Sequence, residues 1–90
     1  MNTITRDDLI ELRKLRLCHL RYGIGCIDNK ERYLNLLHTV GEYIKGLTGE
    51  ERDIMELYYI HGRSEVWMGM YLYCSDRHIR RVKKKILDSL

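Results

Sequence analysis

The stretch from Ser64 to Leu90 constrains this chain most, because it admits little besides two helices joined by a tight turn. Ser64 is a good N-cap for a helix running to about Tyr73, and Ser75 for one running towards the C-terminus. In the last helix Ile79, Val82 and Ile86 recur at the spacing of one buried stripe, while Arg77, Arg80, Arg81 and Lys84 gather on another face. Gly69 sits where two helices would cross closely, and Met68, Leu72 and Cys74 fall where the core between them would lie. A short helix, a turn and a basic helix in this order form the pattern of a helix-turn-helix whose second member enters the major groove of DNA.

The rest of the chain also reads as helix. There is no proline and no strand-like alternation of useful length. Thr5 can cap a first helix to about Arg21, with Asp7 and Asp8 at the positive end of its dipole and Leu9, Leu12, Leu15 and Leu20 on its apolar side. Tyr22-Gly23-Ile24-Gly25 ends it. A second helix is expected from about Asp28 to Lys45, capped by Asp28 with Glu31 three residues on. Gly41 either weakens that helix or admits a close neighbour. Thr48 and Glu51 have the spacing of a capping box for a third helix, whose core residues are Ile54, Leu57 and Tyr58. The expected fold is all-α with about five helices: a helical hairpin in residues 1–46 and a helix-turn-helix unit in 47–90.

Charge points the same way. The formal net charge is +3, but residues 75–90 carry six Lys/Arg against two Asp/Glu while the remainder is nearly balanced. Such a cluster suits a polyanion. No apolar run is long enough to span a bilayer, and MNTITRDD lacks a secretory leader, so a cytoplasmic protein without membrane contact is expected. Cys18, Cys26 and Cys74 have no paired spacing and are expected to remain thiols in a reducing compartment. Cys18, His19, Cys26 and His38 fit no common zinc pattern, so neither metal nor cofactor is expected. A phosphate loop, a nucleophile elbow and a paired-acid motif are all missing, which speaks against an enzyme.

The strings LTGEERDIMELYYIHGRS, MGMYL and CSDRHIRRVKKKILDSL set Leu47, Thr48, Glu51, Leu57, Tyr59, Gly62, Ser64, Met68, Gly69, Leu72 and Ser75 in a gap-free order. In this order the segment resembles region 4 of bacterial sigma-70-type factors and the short phage and mobile-element regulators of the ArpU and RinA kind. The resemblance covers about half the chain. It implies base-edge contacts from Asp76, Arg77, Arg80 and Arg81, where arginine can grip guanine with two hydrogen bonds. Phosphate contacts are expected from Arg63, Ser64, Ser75, His78, Lys83 and Lys84. Tyr59 matches a core position of that family.

Two departures stand out. Tyr73 occupies a turn position where the family usually has glycine; a left-handed tyrosine is costly, so an altered turn is expected. Val66, Trp67, Met70 and Tyr71 make the fourth helix apolar nearly all round. Its outer face should be covered, by the N-terminal hairpin in the simpler case, otherwise by a second copy or by RNA polymerase. The expected function is sequence-specific binding of double-stranded DNA in transcription control. Ninety residues lack room for the promoter-melting parts of a complete sigma factor, so initiation by this chain alone is not expected. Two other readings are an adaptor that engages RNA polymerase or another host protein through the fourth helix, and a DNA-binding accessory factor in recombination or packaging.

Overall fold

Capping side chains set four of the five α-helix starts. The computed structural model describes residues 4–90, and among them are five α-helices and no strand, the all-α architecture expected from the periodicity. They are α1 (Arg6–Tyr22), α2 (Lys30–Lys45), α3 (Gly49–Met55), α4 (Glu65–Leu72) and α5 (Asp76–Asp88). A 3-10 turn, Ile24–Cys26, follows α1, and a π-helical turn, Glu56–Ile60, extends α3. Thr5 forms a full capping box: its hydroxyl accepts from the Asp8 N–H at 3.2 Å, and its own N–H donates to Asp8 Oδ2 at 3.0 Å. The Ser64 and Ser75 hydroxyls accept from the N–H groups of Trp67 and His78, each at 3.1 Å.

Two caps differ from expectation. Asn29, not Asp28, caps α2 by accepting from the Arg32 N–H at 3.1 Å. Burial of Ile27 fixes where the chain enters, and asparagine caps as well as aspartate. Thr48 occupies the N-cap of α3 but its hydroxyl makes no capping bond. The left-handed backbone at Gly49 (φ 59°) turns the first amides away, and Glu51 pairs with Lys85 instead at 3.5 Å.

One core cluster joins the first two helices to α3, the π turn and α5. Leu9 and Leu12 of α1 meet Tyr33, Leu36, Val40 and Ile44 of α2, together with Met55, Tyr59 and Ile86. A second cluster of Ile54, Met68 and Ile79 lies between α3, α4 and α5. Each such side chain contributes about 1.5–3 kcal/mol when removed from water. Tyr59 is buried, while Tyr58, expected in the core, is only half-buried. Its ring lies between the two core clusters, with Arg13 and Lys83 against it. Leu20 is 54 % exposed rather than buried: it shares the flank of Arg13 and Arg16, but it lies against Gly62 beyond the core. Gly41 admits no close neighbour: a Cβ there would meet nothing within 4 Å.

Cys18 and Cys26 are not separate thiols. The 3-10 turn folds Cys26 back onto the end of α1, and the two are joined as a disulfide with Cα atoms 6.7 Å apart; Cys74 is free. Among the described residues no three His, Cys, Asp or Glu side chains converge as a metal site requires, and no helix is long and apolar enough to cross a membrane.

Candidate nucleic-acid interface

The α4–α5 pair is built around Gly69. A Cβ on this residue would stand 2.7 Å from the Cys74 carbonyl oxygen, closer than atoms tolerate. With hydrogen there instead, the backbone folds over at Tyr73 and Cys74, and the N–H groups of both donate to the Gly69 carbonyl. Met68 and Ile79 are buried beneath the crossing, flanked by Leu72, Cys74 and Val82.

The turn is not altered at Tyr73. Its backbone is left-handed (φ 57°, ψ 45°), as a glycine would be, and the side chain is 96 % exposed. A non-glycine residue in this region costs about 1–2 kcal/mol. The close helix crossing outweighs that strain, and the exposed ring clashes with nothing.

The cations of α5 divide into two sets. Lys83 is the clear correction. Expected at phosphate, it is buried, with Nζ 2.9 Å from Glu65 Oε2 and 3.4 Å from the centroid of the Tyr58 ring. The α-helical period places residue 83 on the same side as Ile79 and Ile86, so it turns inward and ties α5 to α4. His78 pairs with Glu50 at the start of α3, and Arg80 with Asp76 at 3.5 Å on α5 itself. Arg77, Arg81 and Lys84 are exposed and have no acidic partner among the described residues. They stand at i, i+4 and i+7, on one helix face. Seven residues of helix rise about 10.5 Å, roughly three base-pair steps. Asp76 is exposed at the first turn, where it also constrains Arg80.

The start of α4 offers a second contact point. Ser64 and Ser75 spend their hydroxyl oxygens as cap acceptors, which leaves each O–H free to donate outward. The Arg63 guanidinium lies 4.4 Å from the centroid of the Trp67 ring.

The outer face of α4 is uncovered, against the simpler expectation. Val66, Met70 and Tyr71 are exposed, and Trp67 is half-buried and stacked on Tyr71 with ring centroids 4.9 Å apart. The hairpin packs instead on the π turn and on the far end of α5. Arg6 stands 3.9 Å from Asp88 there.

A structural role for two α1 arginines has no signal in the sequence. Arg13 Nη1 donates to the Tyr58 carbonyl at 2.6 Å, and its guanidinium lies 3.6 Å from that ring's centroid. Arg16 Nε donates to the Ile60 carbonyl at 2.7 Å, and its Nη1 to the buried Tyr33 hydroxyl at 2.8 Å. A helix end leaves carbonyls without intrahelical partners, and a π turn followed by left-handed Gly62 leaves them facing α1. The two guanidiniums satisfy them. Tyr58 thus receives Arg13 from α1 and Lys83 from α5, so one ring links the hairpin to the basic helix.

Comparison with protein-family models, curated proteins and solved structures finds no match to this chain, so its functional reading rests on the residues above.

Proposed function

We infer that this chain is a sequence-specific double-stranded-DNA-binding regulator of transcription, of the kind found in phages and mobile elements, with α5 as its reading helix. One observation carries the reading. A tightly crossed helix pair holds α5 by its Ile79, Lys83 and Ile86 side, leaving Arg77, Arg81 and Lys84 unpaired along one outward face. Arg77 and Arg81 act as the base readers, Arg80 is held by Asp76 beside them, and Lys84, Arg63 and the two cap serines serve as phosphate contacts.

The test is fluorescence anisotropy with random-sequence and selected duplexes over a salt series. Affinity should fall linearly with log salt, by about 0.9 log units per log unit for each phosphate contact. Arg77→Ala/Arg81→Ala should weaken binding to a selected site at least thirtyfold, from about 1 kcal/mol or more per bidentate pair. Absence of binding at low salt by folded protein refutes the reading. The bare outer face of α4 supports a second reading, an adaptor that docks on RNA polymerase or another host protein through Val66, Trp67, Met70 and Tyr71. Retention of RNA polymerase by the wild type and not by Met70→Glu would favour it.

A further inference from the structure

We propose that the Cys18–Cys26 disulfide is a reversible latch, worked by small thiols and disulfides, that sets how firmly α1 holds the entry into α4. The bond joins the last turns of α1 to the 3-10 turn, where Cys26 is exposed and Cys18 half-buried. An exposed disulfide is the kind that surrounding thiols open and close. A small thiolate attacks Cys26 Sγ, the Sγ–Sγ bond breaks, and the Cys18 sulfur leaves as a thiolate that takes up a proton. A second small thiol then displaces Cys26 from the mixed disulfide. In sum, two small thiols are oxidised to one small disulfide while the protein disulfide is reduced to two thiols; a small disulfide drives the reverse. Both sulfurs have acceptors as thiols without moving: the Gly23 carbonyl oxygen is 3.1 Å from Cys26 Sγ, and the Cys26 carbonyl oxygen 4.0 Å from Cys18 Sγ.

Little else holds this turn. Tyr22, Gly23, Ile24, Gly25 and Cys26 are all exposed, and a Cβ at Gly23 or Gly25 would meet nothing within 4 Å. Backbone bonds tie it lightly, from the Gly23 N–H to the His19 carbonyl at 2.8 Å and from the Cys26 N–H to the Gly23 carbonyl at 3.3 Å. The chain is fixed again immediately afterwards, by burial of Ile27 and the Asn29 cap of α2. Opening the disulfide therefore frees a short segment and the end of α1 while the core stays in place.

That end of α1 grips the exit of the π turn. Arg16 donates to the Ile60 carbonyl and to the buried Tyr33 hydroxyl, and His19 Nδ1 lies 2.7 Å from the same hydroxyl. Leu17 and Leu20 crowd Gly62, where a Cβ would stand 3.1 Å from Leu17 Cδ2 and 3.0 Å from Leu20 Cδ1. Gly62 leads through Arg63 to Ser64, the N-cap of α4. Fraying α1 beyond Cys18 loosens His19 and Leu20 first, and the entry to α4 with them. The latch does not rest on the DNA reading; it acts on whatever the α4–α5 pair binds.

The experiment is native-state amide hydrogen exchange of the full chain, equilibrated with reduced or with oxidised glutathione and without DNA. Alkylation after a denaturing quench, read by mass spectrometry, should count one free thiol in the oxidised chain and three in the reduced one. The reporters are the His61 and Arg63 N–H groups, which donate to the Glu56 and Leu57 carbonyls at 3.1 and 2.9 Å. In the reduced chain both should exchange at least about tenfold faster, a coupling of ordinary size, at rates insensitive to low urea as local opening requires. Cys18→Ser/Cys26→Ser should match the reduced chain in either buffer. A pair that stays reduced in oxidised glutathione, or a bond that millimolar reduced glutathione leaves intact in the folded chain, overturns the proposal. So does a change of less than about twofold at the reporters, or one that follows global unfolding in urea. A reduced chain that no longer folds overturns it too, since the bond would then be a fixed staple.

Discussion

Replacing Lys83 by Met asks whether this cation holds the fold or the nucleic acid. The substitution keeps an unbranched apolar stem and removes the ammonium. Glu65 then loses its partner at 2.9 Å, and the Tyr58 ring loses one of its two cations. Breaking a fully buried pair costs about 3–5 kcal/mol. The Glu65 side chain retains 26 % of its exposure and stays partly hydrated, so a loss of about 2 kcal/mol is the better figure. For a domain of this size, where 1 kcal/mol moves Tm by about 4–8 °C, that is a fall of about 8–16 °C. The assay is thermal and urea unfolding of the wild type, Lys83→Met, Glu65→Met and the double variant. The double variant should recover at least about 1 kcal/mol relative to additivity, because it leaves no lone charge. Duplex affinity at a temperature where all four are folded should be unchanged. A loss below about 0.5 kcal/mol, together with a shallower salt dependence of DNA binding, would refute the structural role and return Lys83 to the phosphates.

Three further outcomes are expected. Gly69→Ala should destabilise by about 1–3 kcal/mol in urea titration, since the added Cβ must displace the Cys74 carbonyl now 2.7 Å away. Tyr73→Gly should leave the fold intact and raise Tm, because it relieves left-handed strain of about 1–2 kcal/mol, less the entropy glycine adds to the unfolded chain, and removes no packed contact; a lower Tm would show that the exposed ring is held after all. Burial, with the nearby Tyr58, pushes the Tyr59 hydroxyl up to about 12 from 10.0. The folded state therefore keeps a proton that the unfolded state releases, so this stability is full below pH 10 and falls as pH rises towards about 12. Tyr59→Phe should flatten that limb of the stability–pH curve relative to the wild type.

The parts of the fold written in local chemistry were legible. Thr5, Ser64 and Ser75 cap where their hydroxyls precede apolar-periodic runs, and Gly69, Met68 and Ile79 sit where a close helix crossing needs a small residue and two apolar ones. What could not be read depends on partners distant in the chain. Lys83 looks like any basic residue on a basic helix until Glu65 and Tyr58 are placed beside it. Arg13 and Arg16 look like solvent cover until the π turn brings the Tyr58 and Ile60 carbonyls to them, some 45 residues away. Thr48 failed as a cap through the backbone of its own neighbour, Gly49, whose left-handed φ no composition argument specifies. Within the proposed interface, the residue types on α5 gave the cationic face, but only the positions of Asp76, Glu50, Glu51 and Glu65 tell which cations are free.

The two arginine bonds from α1 to the π turn also bear on inheritance. A helix-turn-helix that could stand by itself could be shuffled between genes, leaving its N-terminal companion to drift. Here Arg13 and Arg16 close the end of the helix that feeds directly into Ser64 and α4, so the first helix and the α4–α5 pair must change together. A fragment starting at residue 47 would keep every proposed DNA contact and lose the groups that fix their geometry. If the proposed function holds, genetic screens for loss of DNA binding should therefore recover α1 alleles alongside those in α5, although no α1 residue need come near the DNA.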